Sequence, residues 1–271
     1  MKRHDLRSAV GFLLAACLLT ACGARTEQTP SQAPTEPAAP EVAETEAPEE
    51  TPATEEVPRD MLPGLDIAAL ENTMPEEDCG AFAAYLPVLR GEQTFRWVAG
   101  PYDGYPDYNW EPFDADMTAV RDQLWRGFEQ GPPETLTLDR LAVRDIDGDG
   151  TAELVLLFQD GAYNYLVLHR EEDDDVYGTS FYVRWFEGLQ KNGVYWGAGG
   201  AGDSTYYRMA FRNGLFEQEE LGRRVEWANG CTCTLGGETV TEADFDAWYT
   251  ENMVGDVTWY APDGSVIPEN Q

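Results

Sequence analysis

The chain has 271 residues, with 50 Asp plus Glu against 18 Lys plus Arg, and a formal charge of −32 at pH 7. A field of that sign and size repels nucleic-acid phosphates, so nucleic acid is excluded as a partner. The chain holds only two His, His4 and His169, which excludes centres built from several imidazoles, such as HExxH zinc sites.

Taken in chain order, the first element is a leader. Lys2, Arg3 and Arg7 supply a positive start, and residues 8–19 form an apolar run too short to span a bilayer, so residues 1–21 read as a signal peptide. It ends in Leu19-Thr20-Ala21-Cys22, which resembles the bacterial lipobox. The resemblance implies cleavage before Cys22, lipidation of its sulfur and attachment to the extracytoplasmic face of the cell membrane. Residues 22–60 are dominated by Glu, Ala, Pro and Thr and contain no aromatic side chain. Such a segment cannot bury enough apolar surface to offset its ordering entropy, and it is expected to be a disordered linker.

All aromatic residues but Phe12 lie beyond Met61, so residues 61–271 are expected to form one globular α+β domain. Residues 66–90 carry apolar side chains at helical spacing, with Pro75 and Pro87 as interruptions and Gly91 as the stop. Asp114 or Asp116 can cap a second helix reaching Phe128. From residue 136 the period becomes strand-like. Strands are expected over 141–145, 154–159, 163–170, 180–186, 194–197, 205–212, 215–221, 225–227 and 231–235, making an antiparallel meander. Asp160-Gly161, Asn213-Gly214 and Asn229-Gly230 are its candidate hairpin turns. Thr241 begins one C-terminal helix with Phe245, Trp248 and Tyr249 inward, and a last strand covers 257–260.

The clearest chemical signal is DIDGDGTAEL, residues 145–154. In a tight loop alternate side chains point inward, so Asp145, Asp147 and Asp149 can converge. Gly150 allows the sharp turn, the Thr151 carbonyl adds an oxygen, and Glu153 completes an all-oxygen cage suited to calcium. An EF-hand needs a bidentate Glu at the twelfth position, where Leu156 stands, and the flanks read as strands. The motif resembles the calcium hairpins of FG-GAP or VCBS-type propeller blades. It is closer still to the DxDGDGxxEL hairpin of Gram-positive, clostridial-type lipoproteins. That resemblance implies Asp145, Asp147, Asp149 and Glu153 as side-chain ligands and Thr151 as a carbonyl ligand. A propeller would repeat the loop, and one copy is present, so the propeller fold is not expected.

Other features carry less. Gly197, Gly199 and Gly202 satisfy GxGxxG but lead into another strand, where a dinucleotide site needs a helix. Cys79, Cys231 and Cys233 fit no zinc spacing and read as free thiols, although one bridge to Cys79 stays open. His169, ending a strand before an acidic run, reads as a surface residue. In residues 101–113, Tyr102, Tyr105, Tyr108 and Trp110 stand among prolines and acids, either covering the core edge or contacting a glycan or peptide ligand. The expectation is a lipid-anchored, non-enzymatic, calcium-stabilised protein that binds a glycan or protein at the cell surface. Its rivals are a carboxylate-based glycan hydrolase and a purely structural envelope protein.

Overall fold

The stretch read as one interrupted helix is three: α1 (Ile67–Thr73), α2 (Glu76–Ala83) and α3 (Leu86–Leu89). Pro75 forces the first break, since the residue before a proline is driven out of the helical region, and Met74 is extended at ψ 146°. Pro87 does no such damage. It lies in the first turn of α3, where an amide hydrogen has no helical partner to lose. These elements come from a computed structural model that describes residues 60–100, 111–125, 129–159, 165–171 and 174–268. All of them belong to one compact unit, Glu55–Gln271. The leader, Cys22, the linker as far as residue 59, and Tyr102, Tyr105, Tyr108 and Trp110 lie outside the described residues.

A hairpin that the sequence did not announce follows, β1 (Phe95–Trp97) and β2 (Phe113–Ala115). Next comes α4 (Met117–Leu124), capped by Asp116, whose carboxylate accepts the Ala119 amide hydrogen at 2.8 Å. Asp114 is not the cap: it sits in β2 and pairs with Arg96 at 3.1 Å. The remaining elements are β3 (Leu138–Arg144), β4 (Glu153–Phe158), β5 (Tyr165–Arg170), β6 (Val176–Phe181), a 3-10 turn (Val183–Trp185), β7 (Val194–Gly200), β8 (Asp203–Arg212), β9 (Leu215–Trp227), β10 (Gly230–Leu235), β11 (Glu238–Val240), α5 (Glu242–Asn252), β12 (Trp259–Tyr260) and β13 (Val266–Ile267).

The fold is mixed α+β, as expected, but the strands form two sheets rather than one meander. One has the order β13-β12-β3-β4-β5-β6-β1-β2, the other β11-β10-β9-β8-β7. Among the described residues only the β1–β6 pair is parallel. The strand read over 180–186 is instead β6, shifted toward the N-terminus, and the chain leaves the first sheet after it. Phe186 and Leu189, on the crossing segment, are buried between the sheets.

Side-chain alternation sets the layers. Leu141, Val143, Leu154, Leu156, Leu166 and Leu168 face the helices, with Phe82, Tyr85 and Leu124 among their neighbours. Ala142, Val155 and Val167 face Tyr195, Met209 and Phe211 of the second sheet. Tyr206 and Cys233, on the far side of that sheet, pack with Phe245 of α5. The order is therefore helices, sheet, sheet, helix. β4 is covered on both faces, which is why ELVLLF reads as a continuous apolar run. Among the described residues no helix is long and apolar enough to cross a membrane.

Candidate metal centre

The acidic loop joins β3 to β4 across the Arg144–Glu153 pair. Its conformation is written by its own carboxylates. Asp145 accepts the amide hydrogens of Gly148 at 2.7 Å and Gly150 at 3.1 Å, one on each oxygen. Asp147 Oδ1 accepts from Asp149 N at 3.1 Å, and Asp149 Oδ1 accepts from Thr151 N at 2.6 Å. Gly148 and Gly150 both have positive φ, 81° and 95°.

Three contacts fix this loop to the rest of the fold. Ile146 is buried between the sheets. Asp147 Oδ2 accepts the Phe211 amide hydrogen of β8 at 3.0 Å, across to the second sheet. The Tyr85 hydroxyl donates to the Ala152 carbonyl at 2.7 Å from the helical layer. Gly193 supplies the clearance beneath Ile146. A Cβ at that position would stand 1.8 Å from the Ile146 carbonyl oxygen, and its φ of 77° also favours glycine.

Glu153 is 0% exposed. Its Oε2 accepts from the Ile146 amide at 2.7 Å, and its Oε1 lies 2.9 Å from Nδ1 of His169. Burial pushes the Glu153 carboxyl up to about 7, against the opposing pull of the His169 and Ile146 hydrogen bonds. In His169 burial favours the neutral ring, but the bond to Glu153 and the negative charges of Glu153, Asp147 and Asp149 outweigh it and raise the imidazole above its ordinary value. The ring stacks on Phe211 at 4.6 Å and 9°. His169 is 1% exposed and so is not the surface residue that its acidic neighbours suggested. The signal that would have found it is parity: along β5, His169 shares a face with Tyr165 and Val167, and that face packs against the second sheet.

Among the described residues the four expected carboxylates fall into two overlapping groups, the second of which includes His169, a residue outside the expected set. Asp145, Asp147 and Glu153 bring ligand atoms within 4.8 Å of one another, and so do Asp147, Asp149 and His169. Both groups could hold a metal ion. Thr151 lines a cavity of about 550 Å³ beside the second group, with Asp149, His169, Arg170, Phe211 and Asn213 on its other walls. The Asn213-Gly214 turn closes one side, with φ of 54° and 67°. Glu171 accepts the Gly214 amide hydrogen there.

The other features stay structural. The GxGxxG glycines lie on the β7–β8 hairpin, with no helix following. Cys79, Cys231 and Cys233 are free thiols, the last two 3.6 Å apart on β10. Comparison with family models, curated proteins and solved structures gives no match to this chain.

Proposed function

We propose that this chain is a lipid-anchored protein of the extracytoplasmic membrane face, carrying a non-enzymatic module that binds a glycan or protein ligand and is held together by one calcium ion. The observation that carries the calcium role is the Asp147 carboxylate, which bonds its own loop and the Phe211 amide of the opposite sheet. A cation drawn to Asp145, Asp147 and Glu153 tightens a joint between the two sheets. The oxygens are hard donors, and crowded carboxylates repel one another until a dication relieves them. The location rests on the Lys2-Arg3 start, the short apolar run and the lipobox ending at Cys22. Extracellular calcium sites work with dissociation constants of about 10⁻⁴ to 10⁻³ M.

Calorimetry of the metal-stripped chain tests this reading. Calcium at ten times its dissociation constant stabilises by about 1.4 kcal/mol, which raises the melting temperature by roughly 3 to 6 °C at this size. Asp147→Ala abolishes the rise. It also lowers the calcium-free melting temperature, because Phe211 loses its acceptor. No calcium heat, together with identical melting in calcium and in chelator, would sink the assignment.

A further inference from the structure

His169 is buried, yet only one of its two nitrogens is used. Nδ1 meets Glu153 Oε1 at 2.9 Å, whereas Nε2 makes no hydrogen bond to any described residue. The ring borders the cavity beside Asp149 and Phe211. One ring nitrogen lies within 4.8 Å of carboxylate oxygens of both Asp147 and Asp149. With Nδ1 engaged by Glu153, the nitrogen left for a ligand is Nε2. With the Glu153 carboxylate ionised, Nδ1 donates to it, and a metal at Nε2 takes the place of any proton held there, since an imidazole ligates through an unprotonated nitrogen.

An imidazole whose far N–H is held by a carboxylate is the arrangement that stands behind metal-ligating histidines, fixing tautomer and ring orientation. Stacking on Phe211 at 4.6 Å locks the same ring from its face. The donor set differs in kind from that of the neighbouring group. Asp145, Asp147 and Glu153 offer oxygen alone, which suits calcium, whereas an imidazole nitrogen beside two carboxylates suits a borderline first-row dication.

We propose that Asp147, Asp149 and His169 form a mixed nitrogen–oxygen site for a first-row transition dication, with His169 as the nitrogen ligand and Glu153 as the residue that positions its ring. The proposal rests on the reading of this loop as a cation site and adds a second donor set and a second class of ion. Glu153 then has a different role toward each ion, ligand in one group and support in the other.

Cobalt(II) titration of the metal-stripped full chain tests it, followed by visible absorption and by ¹⁵N NMR of histidine-labelled protein. The uncleaved chain has two imidazoles, His4 in the leader and His169, so His4→Gln, or cleavage before Cys22, leaves His169 as the one imidazole and the assignment unambiguous. The expected result is saturable d–d absorption with a large paramagnetic shift of the His169 resonances. In His169→Gln cobalt binding weakens by about tenfold or more, the scale at which metal sites respond to loss of a supporting group alone. Cobalt binding unchanged in His169→Gln overturns the proposal. Where that variant fails to fold, the His4→Gln chain decides: no shift at His169 on cobalt saturation overturns it equally. Cobalt binding through His169 with no calcium binding supports the proposal and sinks the calcium reading. Absence of both ions removes the loop as a cation site, and the proposal with it.

Discussion

Glu153 and His169 face each other because of register. Leu154 pairs with Leu168, so the next residues outward, Glu153 on β4 and His169 on β5, come side by side on the same sheet face. The carboxylates of the loop are legible in the sequence because five loop positions decide them locally. His169 is not, since its role depends on a partner sixteen residues away and on a strand pairing that spacing alone does not fix. Removing the carboxylate leaves a buried imidazole N–H and the Ile146 amide without acceptors. Glu153→Ala is therefore expected to cost about 3 kcal/mol and to lower the metal-free melting temperature by roughly 6 to 12 °C. A drop below about 2 °C in differential scanning calorimetry would show that the pair carries no structural weight.

At the scale of elements, local chemistry was read well where one residue decides and poorly where a distant surface does. Asp116 caps α4, and Thr241 caps α5 by accepting the Asp244 amide hydrogen at 3.2 Å. Asn213-Gly214 is a two-residue turn with both φ positive, as its dipeptide predicts. The turn before β10 slips by one residue instead. Trp227 pairs with Gly230, leaving Ala228 and Asn229 at its centre. Tyr249 of α5 is exposed, although its ring meets Tyr206 edge-on at 5.7 Å. The β1–β2 hairpin escaped notice because three-residue strands give no period to detect.

Between β8 and β9, Arg223 grips Asp203 with two nitrogens, at 2.9 and 2.6 Å. This bond holds the Asp203 carboxyl below its ordinary value. A depressed acid contributes stability above its unfolded value, about 3.9, and loses it as pH falls through the lower folded value. In urea unfolding, the wild-type chain is expected to exceed Asp203→Asn in stability at pH 6. That gap narrows below about pH 4 and closes in stronger acid. A gap that stays constant to low pH would assign the loss to packing rather than to the ion pair.

Over the whole molecule, the class of fold was legible and the partition into two sheets was not. β4 and β5 are nearly continuous apolar runs and β9 is largely polar, but no residue between β6 and β7 marks the place where the chain changes sheets. The proposed placement in the cell rests on a different part of the chain, the lipobox ending at Cys22. If the proposed anchor is present, Cys22→Ser shifts the protein from the detergent phase to the aqueous phase on phase partitioning, since two or three acyl chains would contribute about 0.8 kcal/mol per buried methylene. Equal retention in the detergent phase would place the attachment elsewhere.

The bond from Phe211 to Asp147 joins the sheets through a single amide. That amide belongs to one sheet, and its acceptor belongs to the loop of the other. Its hydrogen exchanges with solvent only when the loop lets go, so the exchange rate of one backbone proton on β8 measures how firmly the two halves of the sandwich are clasped. An ion at the loop slows that proton without touching it, and every other amide of β8 supplies the internal reference.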